Sequence, residues 1–530
     1  MTSREKEVVL RVDGLQVAYR QNGISKVVLN DLDLELRSGE IVALLGESGS
    51  GKSTIAKAIT GLLPPSAQIQ EGTLQLASEP PIHLNRKDTD WERIRGRRLG
   101  MLFQDARLAL NPVLKIKEHF RESLLFHRLA APQDVLPIAS ALLSKLNFAD
   151  PGRVLESYPF QLSGGMCQRV CLALSLSLQP AVLIADEPTS ALDTVSQREV
   201  LELLLRLQAE QGQTVLLITH DLAVAKAVSN RVLVLREGRM EEQGLTSDVL
   251  LRPKSAYTRQ LLDARSHRLK PLVLKPGRAI VLEASQLHKH YGRASVLQGV
   301  DLSVAEGEIV GILGESGCGK STLARCLTGL ERPDGGSIRY HGKETIGLRG
   351  RQKRELCKQV QMVFQDARAS LNPGRTALQL VQEPLRYLKL GGRKEREAMA
   401  AYYLHEAGIT DEAQHRRPPQ LSTGQCQRIA IARALVVQPD ILICDEAVSA
   451  LDMSVQAQIL KLLQRLNRRF GFSIIMISHD IRVLQSFCHV IAVMHQGHFC
   501  ELKPGASLHT SEEAYTQTLL RCAGDMEAGL

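Results

Sequence analysis

Short, unbroken apolar runs stand at matching places in the two halves of the chain. IVALLG (41–46), AVLIAD (181–186) and TVLLIT (214–219) correspond to IVGILG (309–314), ILICDE (441–446) and SIIMIS (473–478). The runs are apolar on both faces and rich in β-branched residues, the pattern of strands buried in a parallel sheet flanked by helices. Between them lie stretches such as IKEHFRESLLFHRLA, where apolar residues recur at helical spacing without a strand signal. These predict an inserted helical subdomain, and the fold class that follows is α/β, built twice.

The duplication extends to the polar residues. GESGSGKST (46–54) returns as GESGCGKST (314–322), MLFQDARLALNP (101–112) as MVFQDARASLNP (362–373), and DEPTSALD (186–193) as DEAVSALD (445–452). Order is preserved and spacing nearly so, which makes this one domain repeated. The join falls in ARSHRLKPLVLKPGR (264–278), where prolines and basic residues interrupt the periodicity before IVLEASQLHKHYG opens a new strand. The predicted boundaries are a first domain over 1–265, a linker over 266–277 and a second domain over 278–530.

Each GxxxxGK[ST] sits between an apolar strand and a helix, the context a phosphate-binding loop requires. Gly46, Gly49 and Gly51 let the backbone curl around phosphates, Lys52 reaches the β- and γ-phosphates, and Ser53 offers a hydroxyl to Mg²⁺, with Thr54 beside it. Gly314, Gly317, Gly319, Lys320, Ser321 and Thr322 repeat the set. Downstream, Asp186 and Asp445 end apolar strands where a carboxylate holds Mg²⁺, and Glu187 and Glu446 follow as general bases for the attacking water. His220 in ITHD and His479 in ISHD close another strand, where an imidazole reaches the γ-phosphate or the water. A lone acidic pair reads as a helix cap and a lone histidine as a core residue; the phosphate loop upstream and the repetition favour chemistry.

A third repeated element, LSGGMCQR (162–169) and LSTGQCQR (421–428), has the form of an anion-binding helix start. Neither copy has a phosphate-gripping lysine nearby.

With 530 residues, 44% hydrophobic and 23% charged, the chain can bury two cores, and disorder is excluded as its general state. Its net charge of +9 comes from 66 basic against 57 acidic residues without a long basic block, weak evidence for nucleic acid or an anionic membrane. Ten scattered cysteines and a start, MTSREKEVVL, that lacks an apolar signal region point to reduced thiols in the cytosol. No apolar run approaches the roughly 18 residues of a membrane span. Cys167 and Cys171 are four apart, but Ala430 replaces the second in the other copy and no His/Cys cluster accompanies them; they read as buried small hydrophobes.

Together these motifs resemble the nucleotide-binding domains of ATP-binding-cassette (ABC) transporters over nearly the whole chain. The resemblance implies two tandem P-loop ATPase domains, each with a mainly parallel core sheet, an antiparallel β subdomain and a helical subdomain. It implies ATP and Mg²⁺ as cofactors, with Gln104 and Gln365 joining Ser53, Asp186, Ser321 and Asp445 around the metal. In that family the signature of one domain serves the ATP of the other. Ser163, Gly164 and Gly165 would then face the Lys320 loop, and Ser422, Gly424 and Gln425 the Lys52 loop. Tyr19 and Tyr291, just before each first strand, resemble the family's adenine-stacking aromatics. The departures are unequal: Thr423 stands where a signature glycine is usual, Met166 replaces the last signature glutamine, and Ala447 and Val448 replace Pro-Thr. Both glutamates remain.

QDARLALNP, QDARASLNP and the segments AYTRQLL (256–262) and AYTQTLL (514–520) resemble importers of the peptide and nickel type. YPFQLSGGMCQR in the first half, with PPQLSTGQCQR and DEAVSALD in the second, resembles the two nickel-import ATPases joined end to end. The implied partners are two membrane permease subunits and an extracytoplasmic substrate-binding protein, with no nucleic acid. The implied place is peripheral, on the cytoplasmic face of the inner or plasma membrane. The expected cargo is nickel or a related metal, free or in a metallophore, with dipeptides or oligopeptides as the alternative. A soluble two-cassette ATPase acting on ribosomes or nucleic acid would carry a long charged linker or coiled-coil insertion, and no sustained heptads are present.

Overall fold

Alternation along each core strand divides its side chains between two apolar layers. In the first unit Val42 and Leu44 of strand Ile41–Leu45, with Val182, Ile184, Leu216 and Ile218 beside them, face an antiparallel β layer. Ile41, Leu183, Ala185, Val215 and Leu217 face the helices. All are buried, which is why these strands read as continuous apolar runs. The computed structural model describes residues 7–21, 24–47, 49–86, 88–190, 192–266, 277–292, 294–449 and 451–528. They fall into two compact units, one running to Ser266 and the other extending to Ala523. Most of the segment read as a linker, 267–276, lies outside the described residues, and Ser266 closes a helix, Ala256–Ser266.

The six-stranded sheet of the first unit has the order Arg239–Leu245, Arg231–Arg236, Ile41–Leu45, Thr214–Ile218, Val182–Asp186, Leu99–Leu102. Five strands are parallel and the edge strand Arg239–Leu245 is antiparallel. The second unit repeats this with His498–Pro504, Val490–His495, Ile309–Leu313, Ser473–Ser478, Ile441–Asp445 and Val360–Val363. Each unit adds a four-stranded antiparallel sheet, led by Val8–Gln21 with Ile24–Arg37 and by Ile280–Tyr291 with Ala294–Ala305.

The inserted helical subdomain is present. Helices Ile116–Phe126, Val135–Lys145 and Pro151–Glu156 pack with the signature helix Gly164–Ser177 around Phe120, Leu124, Ala139 and Leu143. Cys167 and Cys171 sit in this core as small hydrophobes, as Cys426 does in the second unit. Among the described residues no helix is long and apolar enough to cross a membrane.

Candidate functional site

In each unit the glycine-rich loop leaves the central strand at its carboxyl end, where the neighbouring parallel strands also end, the usual ligand position in such sheets. The loop enters a helix, Lys52–Ile59 or Lys320–Leu327. Gly51 and Gly319 cap these helices at φ 109° and 113°. A Cβ on Gly51 would stand 2.6 Å from Leu29 Cδ2, and one on Gly319 would stand 2.7 Å from the Val296 carbonyl oxygen. Both conformation and space therefore demand glycine. No side chain caps either helix, so its N-terminus keeps backbone donors for an anion. Lys52 Nζ donates to the carbonyls of Gly46 and Glu47, each at 2.8 Å. Lys320 Nζ donates to those of Gly314 and Glu315 at 2.8 and 2.6 Å.

Asp186 and Asp445 are the last residues of their strands, as the sequence predicts. Ser53 Oγ donates to Asp186 Oδ1 at 3.1 Å, and Ser321 Oγ to Asp445 Oδ1 at 3.1 Å. Burial raises both carboxyl pKa values, with the serine hydroxyls opposing it. A buried carboxylate beside a hydroxyl, with a glutamine amide across the site, is a hard-oxygen set that fits Mg²⁺.

Glu187 and Glu446, one residue later, both adopt φ 47°. A non-glycine residue in that region costs roughly 1–3 kcal/mol and persists where its surroundings fix it. Here the glutamate amides donate to the carbonyls of Ile218 and Ile477. The carboxylate of Glu187 accepts from Gln104 Nε2 at 2.9 Å and lies 3.1 Å from His220 Nδ1. That of Glu446 accepts from Gln365 Nε2 at 2.7 Å, but His479 Nδ1 stands back at 3.8 Å. Burial pushes these glutamates up, yet the histidine and the phosphate-loop lysine outweigh it, and both pKa values lie below the ordinary value. The bent backbone could not be read from the sequence, because glutamate carries no signal for positive φ.

A cavity of about 420 Å³ in the first unit joins Tyr19, Gly49, Gly51, Lys52, Ser53 and Thr54 to Gln104 and Glu187. Its wall also holds Lys26 and Val28, which the sequence reading missed; Lys26 is the cross-strand partner of Tyr19. The tyrosines are not placed before the first strands. Tyr19 lies within strand Val8–Gln21 and Tyr291 ends strand Ile280–Tyr291. Bulges carry each strand past its polar residues, which hides its length from a simple alternation count. The Tyr291 hydroxyl donates to Glu331, and Lys289 lies 5.6 Å from the ring centroid.

The signature serines are N-caps. Ser163 Oγ accepts from Met166 N, and Ser422 Oγ from Gln425 N, both at 3.2 Å. Gln425 also returns its side-chain oxygen to the Ser422 amide at 3.0 Å, completing a capping box that Met166 cannot form. Gly164, where the second unit has Thr423, has nothing within 4 Å of an added Cβ. The next glycines are crowded: a Cβ would meet Ser196 Oγ at 3.1 Å from Gly165, and Val455 Cγ1 at 2.7 Å from Gly424.

Comparison with known proteins agrees with this geometry. The ABC transporter family profile matches residues 29–190 and 297–449, enclosing both loops, both acidic pairs and both signatures. The "Uncharacterized ABC transporter ATP-binding protein YejF" of Escherichia coli (strain K12) is 35% identical over 97% of this chain and 99% of its own. The "Glutathione import ATP-binding protein GsiA" of the same organism is 35% identical over 97% of this chain and 89% of its own. Two matched cassettes, full-length relatives and intact phosphate loops with their carboxylates lead to one conclusion: the chain belongs to the ABC transporter family and carries two of its ATP-binding, ATP-hydrolysing domains.

Proposed function

We propose that this chain is the ATP-hydrolysing subunit of an importer for small peptide-like solutes. It would sit at the cytoplasmic face of the inner or plasma membrane beneath two permease subunits that receive cargo from an extracytoplasmic binding protein. The observation that carries the cargo is the match, across 97% of the chain, to a protein named for glutathione import. Nickel or a metallophore complex is the second reading, favoured by the likeness of YPFQLSGGMCQR and DEAVSALD to the nickel-import ATPases. Among the described residues no cluster of three or more His, Cys, Asp or Glu could hold a metal ion. A metal cargo would then be recognised by the partners.

In this reading the loops headed by Lys52 and Lys320 take the triphosphate on their backbone amides and lysines, with Tyr19 and Tyr291 beside the base. The N-termini of the signature helices, at Ser163 to Gly165 and Ser422 to Gln425, offer further donors to phosphate. Ser53, Gln104 and Asp186, with Ser321, Gln365 and Asp445 in the second unit, would hold Mg²⁺, which neutralises charge on the phosphates when bound. Glu187 and Glu446 accept the proton of the attacking water, kept ionised by their lowered pKa and aimed by the bent backbone. Gln104 and Gln365 fix one carboxylate oxygen, and the histidines lie beside the other.

The test is uptake. A deletion strain should lose accumulation of labelled glutathione or dipeptide, and Lys52→Ala with Lys320→Ala should reproduce that loss. Normal peptide uptake with low cellular nickel under metal limitation would replace the peptide reading with the nickel one.

A further inference from the structure

The repeated segments AYTRQLL and AYTQTLL, flagged by sequence as a likeness only, place a tyrosine against each phosphate loop. The Glu47 amide donates to Tyr257 Oη at 3.4 Å, and the Glu315 amide to Tyr515 Oη at 3.1 Å. Glu47 and Glu315 are the residues whose carbonyls take the ammonium groups of Lys52 and Lys320. One residue in each loop is therefore joined through its carbonyl to the lysine that grips phosphate, and through its amide to a tyrosine from the C-terminal helix of its unit, Ala256–Ser266 or Ala514–Ala528. The preceding glycine leaves no slack: a Cβ on Gly46 would stand 2.4 Å from the Leu235 oxygen, and one on Gly314 would stand 2.3 Å from that of Met494.

The rings are themselves fixed. Arg236, directly after Leu235, lies 4.9 Å from the Tyr257 centroid. His495, directly after Met494, packs against Tyr515 with ring centroids 4.0 Å apart and planes tilted by 36°. The helix starts are anchored as well. The Ser255 amide donates to Glu242, and Ser255 Oγ accepts from the Tyr257 amide. In the second unit Glu513 accepts from the Thr516 amide, its own amide donates to Ser511 Oγ, and Ser511 donates to Glu501. Glu242 and Glu501 belong to the antiparallel edge strands, so a continuous chain of contacts runs from sheet edge to C-terminal helix to phosphate loop.

We propose that Tyr257 and Tyr515 are positioning residues for the phosphate loops. Each hydroxyl fixes the residue at which the loop turns back on its lysine, and so sets how readily the loop accepts a triphosphate. The proposal rests on the loops being ATP sites. The shorter contact makes Tyr515 the stronger anchor.

The experiment uses the full chain, with Lys52→Ala silencing the first loop so that the second is read alone. Tyr515→Phe keeps the ring packed against His495 and removes the hydroxyl. It should weaken binding of a fluorescent Mg·ATP analogue about three- to ten-fold, the loss of one hydrogen bond. It should raise the KM of residual hydrolysis without a matching fall in kcat, and speed hydrogen exchange at the Glu315 amide. Tyr257→Phe in a Lys320→Ala chain should give the same signs with a smaller change. Phe variants that bind nucleotide and exchange like their parents would overturn the proposal, leaving the tyrosines as packing residues. A parent chain that binds no nucleotide would instead indict the ATP reading, while the exchange measurement would still decide the tyrosine contact.

Discussion

The two units place the same side chains around the same chemistry, but brace them differently. The serine-to-aspartate bonds match at 3.1 Å, and the glutamates share φ 47°. Behind them, His220 approaches Glu187 to 3.1 Å while His479 stays 3.8 Å from Glu446. The signature helices differ the other way: the second has a full capping box and the first a single serine cap. The two units thus agree at the serine, aspartate and glutamate proposed to do the chemistry and differ in the contacts behind them, so the contrast offers a way to separate what the proposed chemistry needs from what merely steadies it.

The largest effect should come from the glutamates. Glu187→Gln with Glu446→Gln removes the two proposed bases and leaves the phosphate loops, so steady-state hydrolysis should fall about 10²- to 10⁴-fold while Mg·ATP binding persists. The single changes would test the comparison, since equal residual rates would show that the longer His479 distance has no consequence for turnover. The pH profile carries a sign. Both glutamate pKa values are lowered on folding, so their contribution to stability is present above the unfolded glutamate pKa and is lost as pH falls through the lower folded value. The part of the acid loss of hydrolysis that belongs to Glu187 and Glu446 should accordingly fall below the ordinary glutamate range, while Asp186 and Asp445, raised by burial, protonate above the ordinary aspartate value.

A middling effect is expected at the crowded signature glycines. Gly424→Ala drives a methyl into β-branched Val455 and should cost about 1–3 kcal/mol, read as a lower denaturation midpoint. Gly165→Ala meets the end of the smaller Ser196 side chain, and alanine's helix propensity offsets the contact, so its midpoint should barely move. Equal losses would show that the neighbouring helices give equally and that the unequal distances carry no weight.

Much of this was legible in the sequence because the chemistry demands residue types in order: glycines before a lysine, a carboxyl pair after an apolar strand, a histidine after the next. Gly51 and Asp186 announce themselves by type and spacing. Other features were hidden because they arise from tertiary contact. Nothing in the identity of Val455 or Ser196 marks it as the neighbour that keeps a signature glycine small, and Lys26 enters the cavity only through its register with Tyr19. Tyr257 and Tyr515 were visible as a repeated motif, but their reach to the phosphate loop required the fold. At the position of the first unit that matches Thr423, Gly164 is open to a side chain.

The smallest effect concerns the capping box and works best as a reciprocal exchange. Gln425→Met removes the bond from the Ser422 amide and leaves the serine cap, which should cost about 0.5 kcal/mol, the low end of what a helix cap contributes. Met166→Gln supplies the missing acceptor to the first helix, but Met166 also packs partly against the helical core, so the gain is offset by lost apolar burial. The exchange should thus be asymmetric: a small, measurable loss in the second unit and a change near zero in the first, both read as denaturation midpoints of the full chain. A clear stabilisation by Met166→Gln would mean that the methionine contact is worth less than the cap, and that the first signature helix is under-braced rather than braced by other means.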